Sequence, residues 1–272
     1  MIMDPVVAGS FYSSNPIFLR DQINNFLKEV KLEKAYENPL GIISPHAGYI
    51  YSGQCAAYGF KALRLKDFEL AVIIAPCHRY VGFEYSIGDF EAYRTPLGLA
   101  EVDIVETEQL LQDKKFRFIS QAFNSENSLE MQIPFLQVIK PDARIIPILI
   151  GNQSSENSKY LAENLFTHFK QKLEKVVFIA SSDLSHYHNA DTAGKMDAKI
   201  AESISNGDIE ALLENIKTGN SEACGFGAIL TLMYLSELAN YGKIANLNYT
   251  HSGEISHNNN HVVGYLSTIF YK

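Results

Sequence analysis

The chain has 272 residues, 46% of them hydrophobic, and a formal net charge of −8 at pH 7. That composition is enough for a full globular core and argues against a disordered chain. The acidic balance, with no cluster of Lys and Arg, argues against nucleic acid or an anionic membrane as the main partner.

No apolar run reaches the roughly 18 residues needed to span a bilayer. Met1-Ile2-Met3-Asp4-Pro5 lacks the basic-then-apolar pattern of a secretory signal. The three cysteines, Cys55, Cys77 and Cys224, cannot all pair with one another. Reduced thiols in the cytoplasm are therefore expected, leaving a thiolate available as ligand or nucleophile.

Pro5 to Ser14 is a turn-rich lead-in carrying Phe11 and Tyr12. Pro16 suits the first turn of a helix running to about Val30, with Phe18, Leu19, Ile23, Phe26 and Leu27 on one face. Pro39 to Ile43 reads as a short buried strand. It is followed by the loop Ser44-Pro45-His46-Ala47-Gly48 and a helix over Gln54 to Leu63. Gly48 and Gly53 are expected to free the backbone of this loop. His46 thus stands where a strand stops and a helix is about to start, which in open α/β sheets is where ligands bind.

Leu70 to Ala75 is a second strand, apolar on both faces, as in a parallel or mixed sheet covered on two sides. It ends in Pro76-Cys77-His78-Arg79. One strand–helix–strand unit separates the two histidines, so the two strands are expected to be parallel neighbours. Tyr85 to Tyr93 reads as a strand, Thr95 to Gly98 as a turn, and Asp103 to Gln112 as a helix with Asp103 at its start. Ser128 is expected to cap the helix that carries Glu130, with Pro134 kinking or restarting it. Arg144 to Ile150 is a third strand despite Pro147.

Lys175 to Ala180 is a fourth strand, ending in Ser181-Ser182-Asp183-Leu184-Ser185-His186. Helices are expected over Asn157 to Lys172, Asp191 to Asn206, Asp208 to Ile216 and Ala228 to Asn240. Cys224 precedes the last of these, where the macrodipole favours a thiolate. Ala245 to Thr250 and Val262 to Phe270 are final strands joined by a polar loop with His251, His257 and His261. No linker or repeat divides the chain. The reading is one α/β domain over residues 1–272, with at least six strands in a mostly parallel or mixed sheet and helices on both faces.

Each of these histidines, taken alone, is an ordinary loop residue. Their recurrence after strands shares one sheet edge and has more weight. Two imidazoles with one anionic ligand make an open metal site; a carboxylate suits non-haem Fe(II), and a thiolate also suits Cu or Zn. Asp183 either orients His186 or caps its turn. His168 on its amphipathic helix and the three loop histidines read as exposed.

VAGSFY, ISPHAGYIYSG, APCHR, ENSLEMQIPFLQ, SSDLSH and ACGFGA occur in that order. Together they resemble the Memo family, which includes the mediator of ErbB2-driven cell motility and the microbial AmmeMemoRadiSam system protein B. The resemblance implies a fold similar to the class III (LigB-type) extradiol dioxygenases. It places the metal ligands at His46, His78 and Cys224, and an acid/base pair at His186 and Asp183. It sets Phe11, Tyr51, Asn127 and Glu130 in the same pocket. Phe11 stands where the family usually has Trp, and Asn127 where it usually has His. Asn127 can hydrogen-bond but cannot become a cation. Radical-SAM and AMMECR-type partner proteins are implied by the resemblance alone.

Three functions fit these residues. The first is a metal-dependent oxidoreductase using Fe or Cu, with Zn as the alternative ion. The second is a module that binds a peptide or small molecule without chemistry. The third is a hydrolase with Cys224 as nucleophile, His186 as base and Asp183 behind it.

Overall fold

The computed structural model describes residues 1–272 as an α/β fold with two sheets. The chain opens with β1 (Ile2–Met3), α1 (Pro16–Glu29), β2 (Gly41–Ser44), α2 (Tyr49–Leu63) and β3 (Leu70–Pro76). Then come β4 (Tyr85–Ile87), β5 (Ala92–Thr95), β6 (Gly98–Glu101), α3 (Ile104–Leu110), β7 (Phe116–Arg117) and α4 (Ser120–Phe123). The middle of the chain forms α5 (Ile133–Ile139), β8 (Arg144–Ile150), α6 (Ser155–Phe169) and β9 (Val176–Ser181). The rest is β10 (His186–His188), α7 (Ala190–Ser205), α8 (Ile209–Lys217), α9 (Phe226–Leu238), β11 (Lys243–His251), α10 (Gly253–Ser256) and β12 (Val262–Tyr271).

The main sheet runs β10-β12-β2-β9-β3-β8-β4-β7, with β11 also pairing β12. Its centre, β2-β9-β3-β8, is parallel; β12 joins β2 and β4 joins β8 in antiparallel register. β2 and β3 are therefore parallel but not neighbours, because β9 lies between them. Their carboxyl ends still share one edge, and the strand inserted between them adds a third set of side chains there.

Alternation along β3 shows how the layers form. Ala71, Ile73 and Ala75 face one core with Leu19, Ile23, Ala57, Phe60 and Phe135 from α1, α2 and α5. Val72 and Ile74 face the other core with Leu161, Leu165, Ile200 and Ile229 from α6, α7 and α9. Both faces are buried, so the strand is an unbroken apolar run. Pro147 sits inside β8 at little cost. Its carbonyl accepts from the Gly88 amide just beyond β4, so the missing N–H lies at a strand end rather than in a ladder.

Several local expectations change. α2 begins at Tyr49, so Gly53 is helical, and Phe26 fills the space a side chain there would need. Phe18 is exposed, whereas Leu19, Ile23 and Leu27 form the buried stripe of α1. Tyr85 to Tyr93 is two strands in different sheets, since β5 pairs with β1 and β6. Ser128 caps no helix. Its Oγ donates to the Pro76 carbonyl at 2.7 Å, a short 3-10 turn follows at Glu130–Gln132, and Pro134 lies in the first turn of α5.

Candidate metal centre

The four parallel strands converge on one place. β2 runs out into His46, β3 into His78 and β9 into Ser181 and Asp183. Beyond β8, Gln153 clamps the turn before α9. Its Nε2 donates to the Cys224 carbonyl and its Oε1 accepts from the Gly227 amide, both at 2.8 Å. Gly225 lets that turn press against β9, since a Cβ there would lie 2.1 Å from the Ser181 carbonyl oxygen. The turn is thereby fixed with Cys224 over the ends of β2 and β9.

One ligand atom from each of His46, His78 and Cys224 lies within 4.8 Å of the others. Cys224 Sγ is 3.1 Å from His46 Nε2, and the two rings are 5.4 Å apart, edge to face.

The hydrogen bonds decide which nitrogens are free. Ser181 Oγ donates its single proton to the Ser128 carbonyl at 2.7 Å and accepts from Gln132 Nε2 at 2.8 Å. Toward His46 Nδ1, 2.9 Å away, it can only accept. His46 therefore carries its proton on Nδ1 and presents a bare Nε2 to Cys224. Glu126 does the same for His78: Oε1 accepts from the ring Nδ1 at 2.9 Å, while Oε2 accepts from the His78 amide at 2.6 Å. Such acceptors behind a ligating histidine set its tautomer and raise its basicity.

Burial pushes the His46 pKa down, more than Asp183 lifts it, so His46 is neutral, the form that ligates. Burial would raise Glu126, but the bonds from the His78 ring and from the His78 and Ser128 amides hold it at about 2. The His78 pKa is raised by its bond to Glu126. Burial, and then the Asp183 carboxylate, push the Cys224 thiol well up. This outweighs the helix-end effect expected from the sequence. α9 itself starts only at Phe226. The sulfur also accepts the Asp183 amide at 3.2 Å. A coordinating cation removes such a thiol proton outright, so the donor set fits a metal ion.

Asp183 does not lie behind His186. Its Oδ1 accepts from the His46 and Ala47 amides at 2.7 and 3.3 Å, holding the His46 loop. The thiol's imidazole neighbour is His46, not His186. A Cys224–His186–Asp183 relay is thus not assembled.

The centre opens into a cleft of about 740 Å³. His186, Asp183, Phe11, Tyr51 and Asn127 all line it beside His46 and His78. Asn127 Nδ2 also donates to the His46 carbonyl at 3.4 Å. Phe11 is drawn in because its carbonyl accepts the Tyr49 amide at 2.8 Å. Glu130 is elsewhere: fully buried, it accepts from the Val6 and Val7 amides and the Tyr12 hydroxyl. It anchors the lead-in that carries Phe11 rather than meeting a ligand.

Sequence reasoning passed over Glu126, Ser181 and Gln132, which hold the imidazoles, and Glu222, which binds the His186 amide and the His188 ring. It took His261 for a solvated loop residue, yet His261 lines the cleft, as does Arg79. His168 pairs with Glu106 at 2.6 Å instead of facing solvent freely. Cys77 is half-buried against the core, its sulfur near the Ala122 carbonyl. No helix is long and apolar enough to cross a membrane.

The family profile described as Memo-like protein matches residues 4–269. A MEMO1 family protein of Thermoplasma volcanium is 33% identical over 271 residues, covering 99% of this chain and 98% of its own. One from Thermotoga neapolitana is 34% identical, with 99% of each chain covered. One from Methanobrevibacter smithii is 33% identical over 99% of this chain and all of its own, 100%. Among solved structures, an uncharacterized protein of Escherichia coli superposes with a TM-score of 0.51 at 12% identity, covering 78% of this chain and 90% of that one; it shares the fold. The chain is a member of the Memo-like family.

Proposed function

We propose that the chain binds a redox-active metal ion, Fe or Cu before Zn, on His46 Nε2, His78 Nε2 and Cys224 Sγ, and acts as a metal-dependent oxidoreductase. The observation that carries the reading is the pair of fixed tautomers. Ser181 and Glu126 each accept a hydrogen bond from an Nδ1–H, which leaves Nε2 as the ligating atom of each ring, and one ligand atom from each imidazole shares a small volume with a sulfur. Two imidazoles and a thiolate favour softer ions over Mg or Ca.

A bound ion would supply one-electron or oxygen chemistry. The protein's own part is to exclude water from the His46 side, keep the cleft open on the His78 side, and move a proton at His186. The resemblance to class III extradiol dioxygenases supports a redox site, but an oxidisable thiolate sets this centre apart from catechol cleavage. The cleft volume lies in the range of small-ligand sites, which supports a second reading, a binding module for a small molecule or peptide. Partnership with radical-SAM and AMMECR-type proteins rests on the family resemblance.

The test is metal content after anaerobic purification and loading with Fe(II) or Cu(I). Wild type should hold about one equivalent, and His46→Ala and Cys224→Ser should lose most of it. Equal occupancy in all three would sink the proposal.

A further inference from the structure

His186 is held by its backbone. Three successive amides of its segment donate to three separate elements. Leu184 donates to the Gly264 carbonyl of β12 at 2.8 Å, Ser185 to Asp197 Oδ1 of α7 at 3.0 Å, and His186 to Glu222 Oε2 ahead of α9 at 3.3 Å. The Gly264 amide donates in turn to the Ser185 carbonyl at 3.0 Å. Just beyond, the chain bends: Tyr187 has a φ of 63°, in the left-handed region, and the pairing of β10 with β12 shifts register between His186 and His188. The direction of the imidazole in the cleft is therefore set by where these amides are anchored.

Asp197 is the unexpected anchor. It is fully buried and lies outside the cleft lining, and its partners are N–H and O–H groups rather than a cation. The buried positions of α7 are Ala193, Asp197, Ile200, Ser203 and Ile204, so Asp197 occupies a place where helical spacing calls for an apolar side chain. Burial pushes its pKa up, against the pull of the bonds from Tyr249 and Ser185, and an apolar residue would avoid that cost. The neighbours are shaped around it. Tyr249 of β11 donates its hydroxyl to Oδ2 at 2.8 Å, and a Cβ on Gly264 would lie 1.9 Å from the same oxygen. That glycine lets the carboxylate lie against β12 while it reaches Ser185.

We propose that Asp197 is a positioning residue: through the Ser185 amide it fixes the direction in which His186 points into the cleft. The inference rests on the reading of His186 as the group that moves a proton, because proton transfer needs the imidazole at a set distance and angle from its partner. Asp197 acts as a hydrogen-bond acceptor in a fixed place, and its charge is not required for this.

The test is 1H-15N NMR of the histidine rings in the full-length protein without added metal, with the His186 signals assigned by their loss in His186→Gln. Wild type should show one set. Asp197→Ala should shift that set and split it. Asp197→Asn should restore it, since the amide can accept from Ser185 and donate to the Tyr249 oxygen. Ile200→Ala, a cavity in the same buried stripe, should lower the denaturation midpoint and leave the His186 signals as in wild type. Tyr249→Phe, which removes only the bond to Oδ2, should shift the same signals less, and with Asp197→Asn it decides the matter if Asp197→Ala does not fold. Unchanged His186 signals in Asp197→Ala, or in Tyr249→Phe where the alanine variant does not fold, would overturn the inference. So would an equal change in Ile200→Ala or a split set in Asp197→Asn. Metal loading of wild type is measured separately: failure to load would sink only the oxidoreductase reading, and a His186 indifferent to Asp197 only this one.

Discussion

Glu126→Gln is the most informative single change. One buried carboxylate accepts from three N–H groups, the His78 ring, the His78 amide and the Ser128 amide. Glutamine keeps the shape but turns one acceptor oxygen into an NH2 that faces a donor. The carboxyl pKa is held at about 2 against an ordinary 4.5. At about 1.4 kcal/mol per pKa unit, the ionised group contributes on the order of 3 kcal/mol above pH 5.

The sign follows from the direction of each shift. A depressed carboxyl stabilises above its unfolded pKa of 4.5 and loses that contribution as pH falls toward 2, so only about half remains at pH 3. The raised His78 works the other way, contributing below its unfolded pKa of 6.5 and fading as pH rises. Its side chain is 37% exposed, so solvent screening keeps its share small. The stability gap between wild type and Glu126→Gln should therefore peak near pH 5, shrink toward pH 3 and narrow slightly toward pH 8. Urea unfolding across this range measures it, and a gap independent of pH between 3 and 5 would refute the reasoning. Metal affinity in the same variant should fall by about 10- to 100-fold.

Two further changes probe the other half of the centre. Ser181→Ala removes the hydroxyl that fixes the His46 tautomer and strands the Ser128 carbonyl and Gln132 amide. It should cost about 1–3 kcal/mol in chemical denaturation and release the 1H-15N NMR signature of a single Nδ1–H tautomer at His46. Gly225→Ala puts a Cβ against the Ser181 carbonyl; it should destabilise by about 1–3 kcal/mol and lower metal content by displacing Cys224, whereas unchanged metal content would show that the turn has room to shift.

The strands that build the centre were legible because β3, β8 and β9 are covered on both faces and so appear as unbroken apolar runs. That regularity also exposed His46, His78 and His186 as residues just past strand ends. Strand order was not legible: periodicity says nothing about β9 inserting between β2 and β3. Ser181, Glu126 and Gln132 were missed for a similar reason. Their work depends on atoms distant along the chain, and a buried serine or glutamate leaves no local pattern. Asp183 shows the opposite error. Its nearness to His186 in sequence suggested an orienting role, but the end of β9 aims it at the loop after β2. Gly53 and Ser128 misled because helix starts are set by tertiary contacts as much as by capping residues.

The placement of β9 between β2 and β3 also bears on biosynthesis. β2 and β3 cannot settle side by side as the ribosome releases them, because the strand that separates them is made about a hundred residues later, and Cys224 later still. A growing polypeptide can hold local helices but not this sheet centre, and such long-range closure is slow. An ion held on the proposed His46, His78 and Cys224 site would then be taken up only after translation, and a nascent or truncated chain ending before residue 224 would expose unpaired strand edges to quality control.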